Sequence, residues 1–194
     1  MTVLTYLPDS MPTLSLPQIC PYLRCREEDL APEHLEQIAR ILAQAEIVMD
    51  PKLCYIQLPL HLEEGRVALG EALHIQSRSL AAHLQNCTSC ILFCATIGPG
   101  IERKLAANRT RPATAAVWDA VGTAGVEALC DQFCRELSPD GPYRFSPGYG
   151  DLPLSLQMKL AELLETHRRI GVSVTDSLLM TPMKSVTAFL GVRT

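Results

Sequence analysis

The sequence predicts an α+β protein, or an α/β protein with some antiparallel pairing, folded as one domain. Three observations carry this. The chain has 194 residues, of which 47% are apolar, which suits one domain with a sizeable core. Ser89-Cys90-Ile91-Leu92-Phe93-Cys94-Ala95-Thr96-Ile97 is a continuous apolar run that stops at Gly98-Pro99-Gly100. That is the pattern of a central strand covered on both faces and feeding a turn. Helical and strand periodicities then alternate along the chain without an internal repeat, a low-complexity tract or a clear linker.

Residues 1–32 hold five prolines (Pro8, Pro12, Pro17, Pro21, Pro32) and little periodicity. They read as an irregular N-terminal arm, with a short strand at 13–16, ahead of a domain over 33–194. Pro32-Glu33-His34-Leu35-Glu36 opens a helix, because proline suits a first turn and acidic residues there favour the dipole. Leu35, Ile38, Ile41, Leu42 and Ala45 continue it at helical spacing to about Val48. Cys54-Tyr55-Ile56-Gln57-Leu58 reads as a strand, as does the stretch near Ala72-Leu73-His74-Ile75. Ser77 caps a helix over 77–84. After the central strand a helix starts at Ile101, breaks near Arg111-Pro112 and resumes over 113–137. One helix is expected over 153–166 with Gly171 marking its end, then two strands around Thr181-Pro182-Met183-Lys184.

Charge and composition exclude several classes. The net charge is -4 and the pI about 5.7, which argues against a nucleic-acid partner held by a broad basic surface. No basic n-region with an apolar h-region opens the chain, and no apolar run reaches the ~20 residues of a membrane helix. A soluble cytoplasmic protein is expected, with its eight cysteines as reduced thiols, ligands or small buried hydrophobes.

His83, Cys87, Cys90 and Cys94 form an H-x3-C-x2-C-x3-C series that could in principle ligate zinc or an iron–sulfur cluster. Packing is the better reading, since Cys90 and Cys94 share one face of a buried strand and no second CxxC pair exists. Cys20 and Cys25 sit in the proline-rich arm without a periodic assignment. Cys130 and Cys134, four apart on the long helix, favour packing over a joint metal site. No nucleophile elbow, P-loop or dinucleotide fingerprint is present. Gly122 and Gly125 in the long helix each cost ~1 kcal/mol relative to alanine. They imply close approach by another element or a ligand. Trp118, Val121, Gly125, Leu129 and Phe133 face the core, and Glu127 projects the other way, among Ala120, Thr123, Asp131 and Cys134.

Residues 143–151 hold the densest chemistry. Arg144 offers planar donors for a carboxylate, Gly148 and Gly150 allow close backbone approach, and Tyr143 and Tyr149 combine an apolar face with a polar tip. Arg144-Phe145-Ser146-Pro147-Gly148-Tyr149 fits R-x-x-x-G-Y, the motif of the activation domain of cobalamin-dependent methionine synthase. Ile170-Gly171-Val172-Ser173-Val174-Thr175-Asp176-Ser177 and Met180-Thr181-Pro182-Met183-Lys184-Ser185-Val186-Thr187 extend the likeness over the last third of the chain. The chain most resembles small stand-alone relatives of that domain, separately encoded partners of synthases that lack it.

The resemblance implies a single α+β domain with a mainly antiparallel mixed sheet flanked by helices. It implies binding of S-adenosylmethionine and reductive remethylation of cob(II)alamin. The partner would be a cobalamin-binding methionine synthase lacking its own activation domain, and the electron donor a flavodoxin or ferredoxin. It assigns Arg144 to the ligand's charged amino-acid end, Gly148 to close backbone approach, Ser146 and Pro147 to shaping the loop, and Tyr149 to the mouth facing the corrin, the one position counted as catalytic. It places Glu127 near the ligand. No metal-binding residue is implied. The chain lacks a D-x-H-x-x-G cobalamin motif, so the corrin must arrive on another protein. A non-catalytic docking module for a corrinoid protein, or a cysteine-based metal or redox protein, are the alternatives.

Overall fold

The computed structural model describes residues 2–8 and 13–193. In chain order the elements are β1 (Leu4–Tyr6), α1 (Leu16–Leu23), a short 3-10 turn (Glu27–Asp29), α2 (Pro32–Val48), β2 (Lys52–Glu63), β3 (Arg66–Leu69), β4 (Leu73–Gln76), α3 (Arg78–His83), β5 (Ser89–Thr96), α4 (Gly100–Ala107), α5 (Pro112–Leu137), α6 (Leu156–Leu163), α7 (Thr166–Ile170), β6 (Ser173–Val174), β7 (Met180–Thr181) and β8 (Ser185–Val192).

The main sheet runs β4-β3-β2-β5-β8, with β1 also paired to β2. Every described pair is antiparallel, so the mainly antiparallel sheet expected from the sequence contains no parallel pair among the described residues. β5 lies between β2 and β8, as its uninterrupted apolar run predicts, and its side chains alternate between two cores. Ile91, Phe93 and Ala95 join one cluster with Ile38, Ile41, Trp118, Leu129 and Phe133 from α2 and α5. Cys90, Leu92 and Cys94 join the other with Leu80, Leu160, Leu164 and Val172 from the opposite face. The period of two therefore sorts one strand into two separate layers.

α5 is the backbone of the first layer. The Gly122 and Gly125 positions are close approaches. An added Cβ would come within 2.7 Å of Ile101 Cγ2 at Gly122 and 2.9 Å of Met49 Cε at Gly125. Gly100, at the start of α4, is tighter still: an added Cβ would fall 1.9 Å from the Val48 carbonyl oxygen. The ends of α2 and α4 thus meet backbone to backbone.

Three expectations need correction. The described part of the arm carries regular elements where irregular chain was expected: β1 pairs Leu4, Thr5 and Tyr6 with Tyr55, Cys54 and Leu53. The strand expected at 13–16 is absent; 13–15 carry no regular structure and Leu16 begins α1, while Pro12 lies outside the described residues. α1 forms despite Pro21 in its interior because Pro17 sits in the first turn and Ile19 and Cys20 are buried. Gln18 Oε1 also accepts from the Ser15 backbone N–H at 2.8 Å. Third, the helix expected over 153–166 is two helices, split where Glu165 adopts φ 51°. β3 was not anticipated; Glu64 and Gly65, with Gly65 at φ 69°, turn the chain between β2 and β3.

Candidate functional site

Residues 143–151 cross the end of the sheet and are fixed to three elements. Phe145 exchanges two backbone hydrogen bonds of 2.8 Å with Phe189 of β8. The Arg144 guanidinium reaches back to α5. One terminal nitrogen donates to Glu127 Oε2 and the other to Asp131 Oδ1, with only 4% of the arginine side chain exposed. Glu127 and Asp131 are one helical turn apart, so both carboxylates point to the same side of α5. Their side chains remain 35% and 39% exposed. The third attachment is to α3. Asp151 accepts hydrogen bonds from Ser77 Oγ at 2.5 Å and from the backbone N–H groups of Arg78 and Ser79 at 2.8 and 3.1 Å. These donors belong to the helix N-terminus, where a carboxylate is favoured. The Ser77 hydroxyl, followed by the backbone donors, holds the Asp151 carboxyl at about 2 against the partial opposition of desolvation. Ser77 also accepts from Leu80 N–H, the cap read from the sequence.

Between these attachments the backbone turns tightly. Tyr149 N–H donates to Ser146 O at 3.1 Å and Gly148 N–H to Leu152 O at 2.8 Å. Gly148 adopts φ 95° and Gly150 φ 53°, the left-handed region that favours glycine. Space distinguishes them. A Cβ at Gly150 would meet Ser79 Oγ at 2.4 Å, whereas at Gly148 it would meet only Leu154 Cδ1 at 3.5 Å. Gly150 is packed against the protein and Gly148 lies open on the surface.

Aromatic side chains border the charged cluster. The Tyr143 ring covers Arg144 at 4.5 Å from the guanidinium carbon, and its hydroxyl reaches Asp131 Oδ1 at 3.4 Å. Desolvation raises the Tyr143 phenol to about 12, with Arg144 opposing and the two carboxylates reinforcing. Tyr149 is 55% exposed and meets the Phe145 ring edge-on at 5.7 Å. Phe145 packs in turn against His83, whose Nε2 bonds the Tyr143 carbonyl oxygen. Asp131, Cys134, Ser138, Pro142 and Tyr143 line a shallow cleft of about 270 Å³ beside the cluster. A larger cleft of about 490 Å³, at His61, Arg66 and His74, lies on the β2–β3–β4 face with none of the loop residues in its lining.

The structure brings Glu127 and Arg144 together, with Ser146, Pro147, Gly148 and Tyr149 in the same turn. Pro147 is buried, and Gly148 and Tyr149 are exposed. Sequence reasoning missed two contributors. Asp131 was noted on the face of Glu127 but not joined to the site; its spacing of four from Glu127 was the available signal. Tyr22 comes from α1, which packs on α5. Burial raises its phenol, and the Glu127 and Asp131 charges add to the effect. The sequence of the arm carries little periodicity, so nothing in it places Tyr22 here.

The cysteine series does not converge with His83. Cys90 and Cys94 are fully buried with Cys54 in the second core. Burial pushes the Cys54 thiol up to about 12 and those of Cys90 and Cys94 higher still. Among the described residues no group of three His, Cys, Asp or Glu side chains is placed to hold a metal ion. Among the described residues no helix is long and apolar enough to cross a membrane.

The antiparallel sheet with helices on both faces is similar in fold to a solved reactivation domain. The likeness is to the activation domain of vitamin B12-dependent methionine synthase, in fold over nearly the whole chain and in sequence over its last part. Residues 141–193 match that family's sequence model, a span containing the loop, α6, α7 and β6 to β8. A crystal structure of the MetH reactivation domain bound to AdoHcy superposes with a TM-score of 0.76, covering 98% of this chain and 78% of that one at 14% identity. No curated protein sequence matches the chain.

Proposed function

We propose that the chain is a stand-alone activation partner of a cobalamin-dependent methionine synthase. It binds S-adenosylmethionine at the Glu127–Asp131–Arg144 cluster and supports reductive methylation of cob(II)alamin carried by another protein. The observation that carries this reading is the position of the R-x-x-x-G-Y loop, which lies within the family-matched segment and is fixed over two half-exposed carboxylates of α5.

The residues present fit such a ligand by charge. S-adenosylmethionine carries an ammonium, a sulfonium and a carboxylate. The cluster offers two carboxylates for the positive groups and one guanidinium for the negative one. Arg144 is oriented by Glu127 and Asp131 before any ligand arrives, so little side-chain freedom remains to be lost on binding. Gly148 leaves its face open for a ligand to approach the backbone. Pro147 and the Ser146 carbonyl hold the turn that presents Tyr149 outward, toward a corrin on the partner. When bound, S-adenosylmethionine supplies the methyl group for the reduced corrinoid; the chain's own work is binding and orientation. The electron would come from a flavodoxin- or ferredoxin-like donor.

The exposure of Tyr143, Tyr149 and Leu154 around the loop favours a second reading, a docking module that covers a corrinoid protein without using S-adenosylmethionine. Calorimetry separates the two. The leading reading expects saturable heat with S-adenosylmethionine, lost in Arg144→Ala. No heat at millimolar ligand with folded protein would overturn it in favour of docking alone.

A further inference from the structure

The C-terminus of α1 places two thiols side by side. Arg24 adopts φ 53° and ends the helix. Its N–H donates to Pro21 O at 3.3 Å, and the next N–H, that of Cys25, donates to Cys20 O at 3.3 Å. These are the paired bonds of a Schellman cap, in which the residue after the left-handed one folds back over the residue five earlier. That contact is normally apolar; here both positions are cysteine. Cys20 is 7% exposed and Cys25 half-buried. After burial, the neighbouring Cys25 is the main influence raising the Cys20 thiol. Cys25 also lines a cleft of about 220 Å³ with Leu23, Leu30, His34, Ile38 and Val117, so a small molecule can reach it from solvent. The other described cysteines differ. Cys54, Cys90, Cys94 and Cys130 are fully buried, and for none of the others does the backbone close a cap onto a second thiol.

We propose that Cys20 and Cys25 form a reversible dithiol–disulfide site, oxidised by low-molecular-weight disulfides of the glutathione class. The more exposed Cys25 attacks first. Its thiolate displaces one thiolate from the oxidant and forms a mixed disulfide. Cys20, losing its proton to solvent, then attacks Cys25 Sγ and releases the second thiolate. The two protein thiols lose two electrons and two protons, and the oxidant is reduced to two thiols. The cap holds the two residues together at the end of α1. The site lies on the helix that brings Tyr22 beside the Glu127–Asp131–Arg144 cluster.

The test equilibrates the full-length protein in mixed oxidised and reduced glutathione. Acid-quenching, alkylation of the remaining thiols and peptide mass mapping under non-reducing conditions follow. The expected result is a monomer that has lost two hydrogens, with one internal bond between Cys20 and Cys25. Cys25→Ser is expected to abolish that bond. Cys20→Ser is expected to trap the mixed glutathione adduct on Cys25 severalfold over wild type. Cys25→Ser replaces a half-exposed residue and keeps the test decisive if Cys20→Ser fails to fold. Wild-type protein that accumulates only the Cys25 adduct while Cys20 stays open to alkylation would overturn the proposal, as would a bond mapped to any other pair.

Discussion

Arg144 is nearly buried, yet its two partners are not. That asymmetry decides what its removal does. Arg144→Ala leaves Glu127 and Asp131 facing each other without a cation, but water reaches both carboxylates. The expected loss of stability is therefore about 1–2 kcal/mol, not the larger figure for a fully buried pair. Urea unfolding measures it directly. Arg144→Lys keeps the charge but lacks the planar fork that meets two carboxylates at once, so it should recover only part of the loss. Asp151 gives a pH test at the loop's other end. Its folded carboxyl titrates at about 2, below the reference value of 3.8. The stability it contributes is fully present above the unfolded value and disappears as pH falls through about 2. The difference in unfolding midpoint between wild type and Asp151→Asn should be large at pH 5 and should shrink toward pH 2. A gap that stayed constant across that range would mean the α3 cap does not depend on the charge.

Among the elements, α5 does two jobs on two faces. Its glycines admit neighbouring helices on one side, and Glu127 and Asp131 hold the loop on the other. The glycines are not equivalent. At Gly125 a methyl group would meet the flexible end of Met49, which can move. Gly125→Ala should change stability by less than about 1 kcal/mol, because the gain in helix propensity offsets the crowding. At Gly100, where α4 starts, an added Cβ would fall 1.9 Å from the Val48 carbonyl oxygen, and backbone cannot step aside. Gly100→Ala should cost about 3 kcal/mol or more, visible as a large drop in the urea midpoint or a failure to accumulate folded protein.

The Glu127–Asp131–Arg144 cluster carries a net charge of minus one where α5 meets a loop fixed to three elements. A ligand of net charge plus one should therefore raise the melting temperature, and salt should weaken the effect. At a hundredfold excess over its dissociation constant, S-adenosylmethionine should add about 2.7 kcal/mol, or about 5–11 °C for a domain this size. Thermal scans with and without ligand, at low and high salt, check this. No shift in the wild type would count against the proposed site at the level of the whole protein.

Local patterning determined much of the architecture before any coordinates. The run through β5, the helix start at Pro32, the cap at Ser77 and the break at Pro112 are short-range signals, and short-range physics places them correctly. The residue types of the 143–151 loop, and the likeness they carry, were equally legible. Tertiary structure alone decided the rest. Eight-residue α1, with a proline inside it, exists because Ile19 and Cys20 find a core, and isolated propensity cannot report that. The same packing brings Tyr22 to the site, and the cap that ends α1 sets Cys20 against Cys25. Arg144 was legible as a ligand-binding type, but its pairing with both Glu127 and Asp131 joins residues 13 and 17 positions apart on different elements. Sequence spacing reports contacts within one helix or strand; contacts between elements depend on how the layers close.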